Sequence, residues 1–409
     1  MASTSSTYPP ESSAAGGPPI LRTGIVLGLL SLVGSLAIDL YLPAFPTIGR
    51  ELGASAAEVQ RSLSVFFLAL AAAQIPWGSL GDRFGRKRPL YAGLLIFLIG
   101  TAGCATARDP GTLILFRFLQ GFGVCAGTAI SRAMIRDFYT GHRAARLLAL
   151  SYLIIGISPV LAPLAGSLLL QAGGWRMLFW LLGAMGVAGI LLAATAIPES
   201  LPPARRRPIH PRALLATYGA LLANPRFVAA AGAAGLATTT PFAFLTAAPF
   251  LFAAGYGLTP MAYSLLLGLA AVCSIATTQV SPNLMRRYGP KRLLRSTTAA
   301  SLGLSLLLAG LATAGALPLW LFQIVIMALF ALVGLTLTPA AVTALDAAEA
   351  AGAAAALLGT MQLAISALAS AAITIFAATT PVPLSLLLAA VWLAASLCAY
   401  VAFRAPIAA

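Results

Sequence analysis

The sequence predicts an all-α membrane protein: twelve transmembrane helices arranged as two parallel six-helix repeats. Three observations carry that expectation. Of 409 residues only 25 are Lys or Arg and 10 are Asp or Glu, while 60% are hydrophobic and the mean hydropathy is +0.94. The apolar residues fall into twelve runs near the length a bilayer core needs, about 20 residues per helix. A loop motif recurs at half the chain length.

The composition also excludes alternatives. A soluble domain is about 25% charged, and 9% charged residues cannot cover a water-facing surface of this size. Disorder over most of the length is excluded, because it needs low hydrophobicity and high charge. The net charge of +15 would suit nucleic acid only on a polar surface with a basic patch, and little polar surface is available. No nucleic-acid partner is expected.

Residues 1–21, rich in Ser, Thr, Pro, Gly and Ala, read as a disordered tail without the basic start and apolar stretch of a secretory signal. The expected spans are 24–45, 62–80, 90–107, 112–131, 147–170 and 177–197. A polar connection, 198–226, holds Arg205, Arg206, Arg207 and Arg212 and six prolines. It reads as a linker between six-helix bundles at 22–197 and 227–404, and part of it, 212–223, suits a short surface helix. The second set of spans is 227–252, 262–284, 296–316, 319–342, 351–376 and 384–403, followed by a tail at 405–409. Cys104, Cys125, Cys273 and Cys398 all fall in apolar runs, where they serve as small packing residues. No metal or cofactor is expected.

Alternating the loops across the membrane sorts the basic residues. Twenty of them fall on one side: Arg22, the loops at 83–88, 132–146 and 286–295, the linker, and Arg404. Arg50, Arg61, Arg108 and Arg176 fall on the other, and Arg117 lies inside a span. This bias puts the linker and both termini in the cytoplasm.

The recurring motif runs from Gly78 to Leu90 and again from Pro282 to Leu294, 204 residues later. Leu80, Arg83, Phe84, Gly85, Lys87, Arg88 and Leu90 are answered by Leu284, Arg287, Tyr288, Gly289, Lys291, Arg292 and Leu294. Both copies follow the second span of their half, as parallel repeats require. A fainter echo pairs Asp39–Pro43 with Leu245–Pro249.

Gly78-x-Leu80-x-Asp82-Arg83-x-Gly85-Arg86-Lys87-x-x-Leu90 resembles the loop signature of the major facilitator superfamily, which implies the major facilitator fold. Leu113 to Gly121, with Arg117 and Gln120, is similar to the fourth-span motif of its drug:proton antiporters. Ser158 to Ser167 resembles their fifth-span antiporter motif through Pro159, Ala162, Pro163 and Gly166, with Ser158, Ala162 and Ser167 standing for usual glycines. Asp39–Pro46, Ser131–Tyr139 and Gly174–Trp180 resemble the bicyclomycin/chloramphenicol resistance (Bcr/CflA) subfamily. The resemblance implies a proton-coupled multidrug exporter of the bacterial cytoplasmic (inner) membrane, working as a monomer on small molecules and protons. It also implies that Gly78, Asp82, Arg83, Gly85 and Arg86 form a gating loop that latches the two halves. A same-fold exporter of sugars or other metabolites remains open.

Two formal charges lie within spans, Asp39 and Arg117. Each costs about 2.5–3.5 kcal/mol at a helix centre, which makes each a candidate for function. Asp39 lies roughly 22 Å along its helix from Gly24, at a height similar to Arg117, so the two are expected to act together. Low dielectric favours a neutral carboxyl and a nearby Arg an ionised one; that balance suits reversible proton carriage by Asp39. Tyr41, Gln120, Phe242, Phe244, Gln323 and Gln362 are candidate cavity residues for an amphipathic ligand, with packing as the alternative for the aromatics. Pro159, Pro163 and Gly166 suit either a tight interface between halves or an ordinary kink. An enzyme is not expected: His142 and His210 fall in loops, and no metalloprotease, nucleophile-elbow or Walker pattern occurs.

Overall fold

The computed structural model describes residues 20–139, 141–206, 211–348, 351–375 and 380–404. Most of the expected N-terminal tail, the tail at 405–409, Arg207, His210 and position 376 lie outside them. Thirteen helices are described: α1 Ile20–Asp39, α2 Phe45–Leu52, α3 Ala56–Phe84, α4 Lys87–Thr106, α5 Pro110–Phe138, α6 Gly141–Ala196, α7 Pro211–Ala223, α8 Pro225–Phe250, α9 Pro260–Tyr288, α10 Pro290–Thr313, α11 Leu319–Asp346, α12 Ala351–Ile375 and α13 Pro381–Val401. Helix starts are written in the sequence as capping residues. Ser55 and Glu58 close a capping box on α3, and Asp109, Asn224 and Thr259 cap α5, α8 and α9.

Eleven described segments are long and apolar enough to cross a membrane. One of them, Ile154–Ala196, has 43 residues, about 65 Å of helix against a core of about 30 Å. It divides at Gly173 and Gly174, the latter at φ 72°, a left-handed conformation that glycine adopts without a Cβ clash. α6 is therefore two limbs, and the crossings number twelve. The linker carries α7, close to the expected 212–223.

The first crossing differs from expectation. Instead of one helix over 24–45, α1 stops at Asp39, a 3₁₀ turn runs over Leu42–Ala44, and α2 follows. Pro43 is the reason: it has no N–H for the Asp39 carbonyl four residues back, and its ring would strike that carbonyl. The seventh crossing is irregular at the corresponding place, where α8 gives way after Pro249 to a wider π turn over Leu251–Gly255.

Packing repeats between halves. α3 on α5, α1 on α6 and α4 on α6 in the first half are matched by α9 on α11, α8 on α12 and α10 on α13 in the second. The halves meet where α3 packs on α12 and α6 on α9.

Candidate functional site

The site grows out of the break in α1. A helix leaves its last carbonyls without intrahelical donors. Here the Tyr41 amide turns to Ile38 O, so Ala37 O is free of its helical partner. Arg117, on α5, fills the gap: its Nη1 donates to Ala37 O at 3.0 Å and also to Gln120 Oε1. A cation at a helix C-terminus is favoured by the helix dipole. Gln120 passes the network on, donating from Nε2 to Thr101 Oγ1 at 2.9 Å.

Arg117 is fully buried between two rings. Its guanidinium carbon lies 4.5 Å from the Tyr41 ring centre and 4.1 Å from that of Phe66. Aromatic faces stabilise a desolvated cation by about 2 kcal/mol, which offsets part of the cost of burial. Its Nε and Nη2 have no hydrogen-bond partner. Tyr41 is held by Ser62, hydroxyl to hydroxyl at 2.8 Å.

Asp39 does not join this network. It is 3% exposed, and among the described residues no ion pair reaches it within 4 Å. Its Oδ2 accepts a hydrogen bond from Ser158 Oγ of α6 at 2.7 Å. The expected partnership of Asp39 and Arg117 is thus replaced by two separate contacts. The helix end parts them: Arg117 reaches a backbone carbonyl one side of the terminus, while the Asp39 side chain turns to α6.

The fifth-span motif makes this packing possible. A Cβ on Gly166 would come within 2.5 Å of Leu40 O, so only glycine lets α6 lie against the broken segment. The next residue, Ser167, and Ser264 of α9 meet hydroxyl to hydroxyl at 3.0 Å, and Ser264 Oγ also donates to Pro163 O at 3.1 Å. Ala162 is buried beside them. Pro159 and Pro163 each remove a backbone donor from α6. The motif thus lies on the seam between halves. Tyr263, the neighbour of Ser264, is buried with its hydroxyl unpartnered.

The remaining cavity candidates divide. Phe242 bridges the halves, its ring centre 4.4 Å from that of Phe67. Phe244 is enclosed in an aromatic cluster of its own half with Phe252 and Phe330 at 5.9 and 5.5 Å, which is core packing. Gln323 donates from Nε2 to Leu266 O at 2.8 Å and leaves Oε1 buried without a partner. Gln362 is half-buried, its backbone against Gly235.

At the end of the bundle that carries the basic loops, Arg86 donates from Nη1 to Asp82 Oδ1 and from Nε to Asp137 Oδ2, each at 2.7 Å. Burial works against this cation, but Asp137 and Asp82 outweigh it and hold Arg86 above the ordinary guanidinium value. The Arg86 and Lys87 amides both donate to Glu199, and Ser200 Oγ donates to Asp137. Gly85 makes the turn at φ 86°. Gly78 faces open space, and Arg83 lies 5.0 Å over Phe84. Among the described residues, the hydrogen-bond and ion-pair partners of Arg86 belong to the first half or the start of the linker.

Sequence reasoning passed over Ser158 as a partner, along with Asp137, Glu199 and Tyr263. Ser158 and Asp137 sat inside quoted motifs, where a polar residue in an apolar span and an acid among arginines were the available signals. Gln60, fully buried with neither amide atom partnered, carried the same signal.

A Major Facilitator Superfamily profile matches residues 27–371. The chain is 32% identical over 358 residues to "Uncharacterized MFS-type transporter YdgK" of Bacillus subtilis, covering 87% of this chain and 89% of that one. It is 31% identical over 283 residues to "Multidrug resistance protein MdtL" of Klebsiella pneumoniae (68% and 71%). It is 25% identical over 297 residues to "Bicyclomycin resistance protein homolog" of Haemophilus influenzae (72% and 75%). In fold it resembles the crystal structure of a D-xylose-proton symporter, with a TM-score of 0.73 at 16% identity, covering 95% of this chain and 98% of that one. The chain belongs to the Major Facilitator Superfamily: it is a multi-pass membrane transporter for small molecules and not an enzyme.

Proposed function

We propose that this transporter is a proton-coupled antiporter that exports small amphipathic compounds, antibiotics among them, across the bacterial cytoplasmic membrane. One observation carries the reading: among the described residues Asp39 is a buried carboxylate with a single hydroxyl donor and no cation within ion-pair distance. Ionised, it is an uncompensated charge in the membrane; protonated, it is a neutral hydrogen-bonding group. Binding a proton and binding a cationic or polar substrate are then alternative ways to relieve the same cost. Asp39 also sits at the turn that packs on the α6–α9 seam, so its charge state acts where the halves move against each other. Arg117 holds the turn's geometry and keeps a second, fixed charge nearby. Tyr41, Phe242, Gln120, Gln323 and Gln362 flank the path, and the Arg86 loop gates its basic end. The relatives named for multidrug and bicyclomycin resistance support drug efflux as the substrate class, and the Bcr/CflA subfamily is proposed on the sequence motifs alone. The proposed unit is a monomer of two bundles, 22–197 and 227–404, joined by a cytoplasmic linker at 198–226, with both termini cytoplasmic.

The test is a drug-susceptibility panel in an efflux-deficient bacterium, with proton-driven uptake measured in inverted vesicles. Wild type raises resistance to some compounds, and Asp39→Asn abolishes both resistance and proton-driven uptake. Proton-driven uptake that survives in Asp39→Asn sinks the assignment of the coupling residue. Equal susceptibility with and without the wild-type protein favours the same-fold metabolite exporter.

A further inference from the structure

The two copies of the loop motif differ in where their positive charge goes. In the first, Arg86 is held by Asp82 and Asp137, and Lys87 Nζ donates to Ala194 O and Ile197 O at 3.3 and 2.9 Å. In the second, Arg286 stands in place of Asp82 and Pro290 in place of Arg86. Among the described residues no carboxylate lies within 4 Å of Arg286, Arg287, Lys291, Arg292 or Arg295.

Three of these cations, Arg287, Arg292 and Arg295, lie against rings rather than acids. Arg287 and Arg292 lie 5.3 and 5.9 Å from the Tyr288 ring centre. Arg295 and Arg404 lie 5.1 and 4.3 Å from that of Tyr400, on α13. Arg295 donates from Nη2 to Tyr400 O at 3.3 Å, which leaves its Nε buried and unpartnered. Between these groups is a cleft lined by Tyr288, Gly289, Lys291, Arg292, Arg295 and Ser296. Gly289, at φ 78°, makes the turn that opens it. The cleft lies at the first turn of α10, whose free amides add partial positive charge.

We infer that this cleft binds the headgroup of an acidic phospholipid. Orienting the protein requires only a count of basic residues on one side. It does not require a cleft, guanidinium groups fixed against rings, or an unpartnered Arg nitrogen. A phosphodiester supplies what is lacking, an anion with several acceptor oxygens suited to Arg and Lys. The bilayer places it at this depth, where tyrosines also concentrate. In the first copy Arg83 and Lys87 also lie over rings, but Arg86 is neutralised by two carboxylates and Lys87 donates to backbone carbonyls, so less of its charge is left for an outside anion.

The test uses the full chain purified in detergent, titrated with phosphatidylglycerol, phosphatidylcholine or inorganic phosphate, and read by native mass spectrometry and thermal unfolding. Phosphatidylglycerol binds and raises the unfolding temperature. The triple variant Arg287→Gln, Lys291→Gln, Arg292→Gln weakens its binding roughly tenfold or more. A matched triple in the first half and linker, Arg88→Gln, Arg205→Gln, Arg212→Gln, makes the same charge change and leaves it intact. Ser296→Glu, which puts an acid in the cleft, gives the loss through a single substitution if the triple does not fold. The inference is overturned if phosphatidylcholine binds as well as phosphatidylglycerol. It is also overturned if inorganic phosphate matches the lipid, or if the two triples lose binding equally.

Discussion

Arg117 donates to the Ala37 carbonyl at 3.0 Å across two helices, a bond available because α1 ends two residues later. The contact depends on shape as well as charge, since the same guanidinium lies between Tyr41 and Phe66 and reaches Gln120. Lys keeps the charge but has neither the flat face nor the fork. Arg117→Lys is therefore expected to lose most transport, about as much as Arg117→Gln, while both reach the membrane. Efflux assays normalised to membrane protein check this; a fully active Arg117→Lys would mean that charge alone matters.

Ser158 gives Asp39 its one side-chain donor. Ser158→Ala leaves a buried carboxylate unsatisfied, which costs about 1–3 kcal/mol, and Ser158→Thr keeps the hydroxyl. The expected order of thermal stability in detergent is wild type, then Ser158→Thr, then Ser158→Ala. The pH profile of transport should move in Ser158→Ala and stay in place in Ser158→Thr.

Gly166 and Gly303 separate close approach from helix propensity. A Cβ at Gly166 would meet Leu40 O at 2.5 Å, whereas at Gly303 nothing lies within 4 Å. Gly166→Ala should cost about 1–3 kcal/mol by overpacking and reduce transport, because it pushes α6 off the Asp39 turn. Gly303→Ala should be neutral or stabilising, by up to about 1 kcal/mol. Unfolding midpoints of the two variants, measured side by side, decide the matter.

Two acids at helix starts give a pH signature. Glu58 is held below the usual carboxylate range by hydrogen bonds from the Ser55 hydroxyl and amide, and Asp109 by the Thr112 hydroxyl and amide. A lowered native pKa stabilises the fold above the unfolded pKa, and that contribution is lost as pH falls through the native value. Hydrogen-exchange protection in the first turns of α3 and α5, taken against the intrinsic rate at each pH, should therefore fall below about pH 4. Glu58→Gln should remove that fall from α3 and leave it in α5.

The twelve crossings, the break in α6 at Gly173–Gly174 and the linker helix were legible because each rests on local chemistry: apolar run length, glycine and proline. Asp39 and Arg117 were legible as candidates because charge in a membrane is costly wherever it ends up. Their partners were not. Asp39 and Ser158 are 119 residues apart, and Arg117 and Ala37 are 80 apart; no spacing rule links positions on different helices. Arg117 was expected beside Asp39 because both share a height, and height does not fix the direction a side chain leaves its helix.

By itself, then, the sequence determined that this chain crosses a membrane in two repeated sets of helices, which charges are buried and which loops are basic. Those properties depend on single residues and their near neighbours. Only the tertiary structure decided that Arg117 caps a broken helix, that Asp39 is held by a serine, that Gly166 lets α6 close on that break, and that Ser167 meets Ser264 across the halves. Pro43 is the hinge between the two kinds of knowledge. Its missing N–H is a local fact, but which groups took up the carbonyls freed by the break depended on how α5 and α6 packed around it.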